Sequence, residues 1–473
     1  MPDSSRETAW RAFARPVVLC AAVLAGLAIG VPAIARSVRP PDSYVGTFTD
    51  FDTYLLAIAA DLSTYRRLRH QPVDPALDEM ADVAYRMHQK AIVYTTDGGW
   101  LFQPGGWDDH PDYRYIGYDE KKAGLAPRPG RHVVSDASHF TRFPLWLLSH
   151  RLAAHDSARA RYYAHLEAGL CTQFFEHVVV PPSSSSRVYR FNNFMDGRNG
   201  LYRLNYLNRG SVWGYGPYQL SSTVLIGWWG FLGTPAAAHL YDSLRDQFPY
   251  SKAEEALYLG PVTDTAPFTD GRYELLTAIA ARLASGRPAT AAQSRSEEQL
   301  FQRHFVPELQ ASLWAGGNAE SAQYMLMVPL HSAFVEDRPT WKQAFADQFQ
   351  RYTAARGTPP AASLLGRLHY LYFASRFLVL AAQSGDSTLI PIGLDALVES
   401  QILGLWRTPT IVISQVGWGE PAFREFRSYE QWKLSQPKSY VASDSATSPP
   451  MVVAPGSCQN PRRIVATKRR DGE

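Results

Sequence analysis

Asp50-Phe51-Asp52-Thr53-Tyr54-Leu55-Leu56-Ala57-Ile58-Ala59-Ala60-Asp61-Leu62-Ser63-Thr64-Tyr65 is the run that decides the fold class. Phe51, Tyr54, Leu55, Ile58, Leu62 and Tyr65 recur at the spacing that gathers side chains on one face of an α-helix, and Asp50 can cap its start. The next segment repeats the pattern. Asp74-Pro75 supplies a cap followed by proline at the first helical position, with Met80, Val83, Met87 and Ala91 on one side. Similar periodicity returns over 138–155, 157–178, 219–232, 235–247, 270–284, 295–313, 338–355, 361–382 and 389–404.

These segments predict one mainly α domain over 44–435, with few strand-like runs. Two long non-helical insertions interrupt it, Thr95 to Ser135 and Val179 to Tyr218. Loops longer than ~12–15 residues in a compact domain are usually functional or disordered. These two are rich in aromatic residues and glycine, so they are expected to be ordered and to carry short hairpins. From 436 to 473 the chain is rich in Ser, Pro, Lys and Arg and reads as a flexible tail. Many antiparallel helices with long loops at one end resemble the (α/α) toroids, so the expected fold is an (α/α)-toroid-like helical barrel. Families with that layout hydrolyse, eliminate or epimerise glycans, and one branch dehydrates and isomerises a terpene alcohol; such a likeness bears on fold more than on function.

The N-terminus predicts export. Arg6, Arg11 and Arg15 precede an uncharged run from Pro16 to Ala35 that ends in Ala33-Ile34-Ala35, a small-x-small pattern of the kind signal peptidase cuts. Residues 1–35 are a cleaved signal peptide or a retained single-span anchor, since ~20 apolar residues suffice to cross a bilayer. A proline-containing linker follows over 36–43. With arginines kept inside, the body lies in the periplasm or outside the cell. Beyond Cys20 the chain holds only Cys171 and Cys458, which form one disulfide or remain buried thiols. The 47 basic and 44 acidic residues are too evenly balanced for a nucleic-acid footprint.

Three clusters carry chemistry. Ser135-Asp136-Ala137-Ser138-His139-Phe140-Thr141-Arg142-Phe143-Pro144 opens a helix, with Asp136 near its start and His139 one turn on. The pair reads as an acid/base or orienting unit, or as a capping Asp followed by a half-buried His. The run resembles the Asp-Gly-Ser-His-Phe-Glu-x-Ser-Pro motif of the heparinase II/III-like lyases, with Thr141 where those carry Glu and Phe143 where they carry the second Ser. No catalytic role is carried over from that resemblance.

The second cluster, from Tyr189 to Tyr218, crowds Asn192, Asn193, Asp196, Arg198, Asn199, Tyr202, Arg203 and Tyr215 into one insertion. Such a density of polar groups satisfies itself or faces a ligand and water. Glycoside hydrolysis needs two carboxylates, and Asp196 with Asp136 is the expected pair, with His139 orienting and Asn192, Asn193, Arg198, Asn199, Arg203, Tyr215 and Tyr218 binding a polysaccharide or oligosaccharide. A lyase, epimerase or dehydratase/isomerase would use His139 and Tyr202 to move protons in the same cleft. A non-catalytic glycan-binding envelope protein is the third possibility. Trp107 and Asp109, in Trp107-Asp108-Asp109-His110-Pro111-Asp112, and Trp314 with Glu320 are expected at the cleft rim. Glu420, beside Trp418, is a further source of a second acid. No metal is expected, because the oxygen-rich 107–120 cluster lacks the regular calcium-loop spacing and glycine. No cofactor is expected either: phosphate-loop, dinucleotide, His-Glu-x-x-His and Gly-x-Ser-x-Gly motifs do not occur.

Overall fold

In the computed structural model, the described residues are 46–108, 110–128, 130–206, 209–314, 319–355, 363–407, 426–435 and 458. All of them belong to one compact unit that begins at Tyr44. The fold is mainly α, 62% helical with few strands.

Helix α1 (Asp50–Leu68) starts where Thr49 N donates to Asp52 Oδ2 at 2.5 Å. It is buried on almost every side from Asp52 to Tyr65, as a central helix must be rather than an amphipathic surface one. Helix α2 (Pro75–Ala91) begins on the Asp74 cap, whose carboxylate accepts from Ala76 N at 2.8 Å. The longer helices that follow are α3 (Phe143–Ala153), α4 (Ser157–Gln173), α5 (Pro235–Arg245), α6 (Lys252–Leu259), α7 (Arg272–Ser285) and α8 (Ala291–Gln310). Then come α9 (Ala319–Val335), α10 (Pro339–Ala354), α11 (Leu364–Ser384), α12 (Leu394–Arg407) and α13 (Phe426–Ser435).

Packing follows a simple succession. Helix α3 lies against α1, α1 against α11, α11 against α9, and α9 against α7. The 3₁₀ turn Trp228–Leu232 packs on both α7 and α3. The remaining long helices back this set: α2 on α1, α4 on α3, α5 on α7, α10 on α9, and α12 on α1 and α11. Among the inner set, Asp61 of α1 and Arg376 of α11 form a fully buried ion pair at 2.7 Å.

Sequence periodicity and structure differ in three places. The expected 219–232 helix is only one turn, Ser222–Leu225, because Gly227 takes φ 91° and restarts the chain as the 3₁₀ turn. Trp228 and Trp229 are core residues, not a ligand platform: Trp229 stacks on Phe174 at 3.6 Å and Trp228 Nε1 donates to the Tyr324 carbonyl. Helices α6, α9 and α13 were not expected; α9 is apolar nearly all round and carries Pro329, which blurs its period.

The two insertions are ordered and joined to each other. The first contains a hairpin, β1 (Ile92–Tyr94) antiparallel to β2 (Trp100–Phe102); the second contains β3 (Val179–Val180) paired with β4 (Arg190–Phe191). Cross-links run from Leu201 N to the Tyr118 carbonyl, Arg203 N to the Asp112 carbonyl, and Ala137 N to the Asn193 carbonyl. A Cβ at Gly200 would collide with the Ile116 carbonyl, so glycine permits this close approach. Cys171 on α4 and Cys458 form a disulfide with Cα atoms 5.8 Å apart. Among the described residues no helix is long and apolar enough to cross a membrane; residues 16–35 and the 436–457 stretch lie outside them.

Candidate active site

Where the first insertion meets the N-termini of α1 and α3, the structure encloses a cavity of about 430 Å³. Phe48, Phe51, Phe102, Trp107, Phe140, Phe143 and Trp146 supply much of its wall. Polar groups share it with these rings: Thr49, Asp50 and Thr53 from the start of α1, Ser135 and His139 at the turn Ala137–Phe140, and His110, Asp112, Tyr113, Tyr202, Arg203 and Tyr206 from the insertions.

His139 is the centre of that polar group. Its Nδ1 lies 2.6 Å from Asp136 Oδ2, and its Nε2 lies 3.8 Å from Asp50 Oδ2. The imidazole is 30% exposed and Asp50 is 22% exposed, whereas Asp136 is fully buried. Asp136 caps the short turn, accepting from Ser138 N and His139 N at 3.1 Å each, from Ser138 Oγ, and from Tyr113 Oη at 3.3 Å. Burial pushes its carboxyl pKa upward, but the His139 imidazole, the His139 and Ser138 hydrogen bonds and the Arg203 charge outweigh that and hold it well below the usual range. Asp136 is therefore a fixed anion that sets the Nδ1–H tautomer of His139, leaving Nε2 to face Asp50 and the cavity.

Asp50 is held in turn. The Arg142 guanidinium donates to Asp50 through Nη1 and to Tyr324 through Nε, and lies over the rings of Tyr54 and Tyr324. Behind Asp50, Lys433 of α13 pairs with Asp52 in a fully buried contact, tying the C-terminal helix to the start of α1.

The opposite wall is built by Asp112. It accepts from Arg203 Nε at 2.9 Å and from Tyr202 Oη at 3.5 Å, and the Arg203 guanidinium lies 5.1 Å from both the Tyr202 and the Tyr206 rings. Burial lowers His110 to about 4 despite the neighbouring Asp112, so this imidazole is neutral at neutral pH. Burial, together with the Asp136, Tyr113 and Asp112 charges, raises Tyr202 well above the usual phenol value, so Tyr202 is a donor and not a base. The buried indole N–H groups of Trp107 and Trp146 have no hydrogen-bond partner among the described residues.

Several expected site residues do other work. Asp196 lines neither this cavity nor its neighbour; it accepts from Arg198 Nε at 2.7 Å, and Arg198 also donates to the His132 and Arg131 carbonyls. Asp136 has no exposed surface with which to reach a substrate. The expected Asp136 and Asp196 pair is thus not brought together on one cavity. Asn193 is buried, donating to the Gly200 and Gly216 carbonyls and accepting from Leu220 N. Asn192 donates to the His177 carbonyl, and Asn199 accepts from Asn193 N and Tyr218 N. Tyr218 stacks with Arg190, and Trp314 packs among Tyr352 and Tyr370. The asparagine-rich loop therefore satisfies itself, and its polar density is architectural. Asp109 and Glu420 lie outside the described residues; Glu320 belongs to the first turn of α9 and its side chain is likewise outside them.

Trp107, His139, Tyr202 and Arg203 do line the cavity, and Tyr215 lines the adjoining one. Sequence reading missed Asp50, which looked like an ordinary helix cap, and treated His110 and Asp112 only as parts of an oxygen-rich run. Among the described residues no group of His, Cys, Asp and Glu has metal-binding geometry. No family model, curated protein or solved structure matches the chain.

Proposed function

We propose that this chain is an exported (α/α)-toroid-like enzyme that moves protons, in elimination, dehydration or isomerisation, on a compact substrate held beside His139. The observation that carries this reading is the bracketing of one imidazole, with Asp136 at 2.6 Å on Nδ1 and Asp50 at 3.8 Å from Nε2, at the wall of an aromatic cavity. A toroid is supported by the succession of α3, α1, α11, α9, α7 and the 228–232 turn, each packed on the next and the last back on the first. Export is supported by the leader-like N-terminus and by the Cys171–Cys458 disulfide, a bond at home in oxidising compartments.

Aromatic walls interrupted by hydrogen-bonding and charged groups suit a substrate with an apolar body and a reacting hydroxyl. His139 enters the cycle as imidazolium, keeps Nδ1–H on Asp136 and gives its Nε2 proton to that hydroxyl as water leaves, while Asp50 takes a proton from the adjacent carbon. The proton then returns from Asp50 to His139, restoring both groups. Isomerisation is the same traffic with the water or proton re-added at another carbon. General acid–base assistance of this kind contributes about 10²–10⁴-fold each way. Hydrolysis by Asp136 and Asp196 has no such support, since one is sealed and the other is paired off the cavity.

The test is exchange. Incubating the full chain in heavy water with a panel of unsaturated and saturated alcohols should give deuterium incorporation or water loss by mass spectrometry, abolished in His139→Gln. Glycan cleavage that survives His139→Gln but disappears in Asp196→Asn would overturn the reading.

A further inference from the structure

A second, larger cavity of about 690 Å³ abuts the first. Tyr202 and Arg203 line both, and the two successive residues Ser138 and His139 line one each. The segment that carries these two shared residues, Tyr202 and Arg203, is strained. Arg203, Asn205, Val212 and Tyr218 all take positive φ, between 55° and 66°, without being glycine. Such conformations persist where surrounding contacts impose them, often around functional clefts.

The larger cavity differs in chemistry from the aromatic chamber. Both of its arginines are paired, Arg203 with Asp112 at 2.9 Å and Arg272 with Asp270 at 2.7 Å and Glu308 at 3.5 Å, while the lining carboxylate of Asp264 accepts from Ala266 N at 3.0 Å. There is no surplus positive group for an anion. Beside aliphatic side chains such as Leu259, Val262 and Leu313, its lining carries the rings of Tyr202, Tyr215 and Tyr273, interleaved with hydrogen-bonding groups. Gln219 commits its oxygen to Gly216 N at 2.6 Å, leaving its amide N–H groups available, and Thr223 donates to the Leu220 carbonyl, leaving its oxygen to accept. Ser222 and Ser312 add two further hydroxyls. Rings beside neutral donors and acceptors are the complement of a pyranose, whose C–H faces stack while its hydroxyls hydrogen-bond.

We propose that the larger cavity is the second compartment of the His139 site and binds a neutral polyhydroxylated ring, a single sugar unit, joined to the apolar portion that lies in the aromatic chamber. This rests on the reading of the His139 chamber as a substrate site. It would make the preferred ligand an amphipathic glycoside rather than a polymer, with Tyr215, Tyr273 and Gln219 selecting the sugar end.

Calorimetric titration of the full chain with n-octyl β-D-glucopyranoside below its micelle-forming concentration, with n-octanol and with glucose, tests this. The glycoside should bind roughly tenfold or more tighter than either component alone. Tyr273→Ala should reduce it to the octanol level with octanol affinity unchanged. Because Tyr273 is nearly buried and its loss could unfold the protein, Ser312→Trp, at an exposed position on the cavity lining, provides a second obstruction with the same expected result. Equal affinity for octanol and glycoside, or a glycoside preference that survives both substitutions, overturns the second compartment. The heavy-water experiment reports separately on His139: absence of exchange or water loss in the wild-type chain, with the glycoside preference intact, would overturn the chemistry and leave the compartment.

Discussion

His139 Nδ1 and Asp136 Oδ2 lie 2.6 Å apart, and the carboxylate side of that contact has no exposed surface. A sealed anion under a half-exposed imidazole is an orienting arrangement. Asp136→Asn keeps the side-chain size and part of the cap but presents the wrong group to Nδ1. Proton-transfer activity should fall by about 10²–10⁴, as expected when tautomer control is lost. Its low folded pKa means that Asp136 contributes stability above the unfolded value of ~3.9 and loses it only on further acidification. Urea unfolding of wild type and Asp136→Asn should therefore differ at pH 7 and converge toward strongly acid pH; a constant difference would contradict the assignment.

Asp50 is expected to matter for activity far more than for folding. It is partly exposed at the first turn of α1, and its partners Arg142 and His139 keep other contacts. Asp50→Asn should cost about 10²-fold or more in turnover with a melting temperature within a few degrees of wild type. Combined with His139→Gln it should add little, since groups that act as one unit are non-additive. Full additivity in the double variant would separate the two residues.

Asp196 makes the contrary prediction. Its ion pair with Arg198 lies on a partly exposed turn, so Asp196→Asn should change stability by no more than about 1 kcal/mol and leave proton transfer within a few fold. A loss comparable to that of Asp50→Asn would place Asp196 in the chemistry after all.

Buried neutral histidines predict acid sensitivity. Burial lowers both His88 and His110 to about 4, below the unfolded value of ~6.5. The unfolded chain therefore binds more protons between these limits. Stability is intact above pH ~6.5 and is lost as pH falls toward 4, by on the order of 3 kcal/mol for each such group. Denaturant midpoints measured at pH 7 and 4.5 should show the loss, and His88→Leu, if folded, should reduce it. Equal midpoints would refute the neutral burial of these imidazoles.

Cys171 and Cys458 are 287 residues apart in sequence. Closing a loop of that length constrains the unfolded chain by about 5 kcal/mol in the chain-entropy account, with smaller values common in practice. Reduction, or Cys458→Ser, should lower the unfolding free energy by a few kcal/mol. Two titratable thiols in the untreated unfolded protein would show that no bridge forms.

Much of the scaffold was legible without coordinates. Apolar periodicity marked α1 to α5, α7, α8 and α10 to α12, because apolar residues at helical spacing leave a periodic signature whatever they pack against. It failed where the signature vanishes: α9 is apolar nearly all round, and Gly227 breaks a run that otherwise reads as helix. The same limit governs the site. Sequence identified His139, Tyr202, Arg203 and Trp107 as unusual for their positions. It also placed weight on Asn193, Asn199 and Asp196, whose polar groups turn inward to hold the loop together.

The helical class, the two insertions and an Asp136 cap one turn before His139 can be read from the residues alone, since each follows from local spacing and backbone hydrogen-bonding needs. That Asp136 is sealed, that Asp196 lies away from the cavity, and that Asp50 sits 3.8 Å from His139 at the cavity wall emerge only from the packing of helices distant in sequence. Asp50 and His139 are far apart along the chain and carry no local mark of each other. Their meeting depends on α1 packing against α3, and that contact sets which carboxylate lies beside the imidazole.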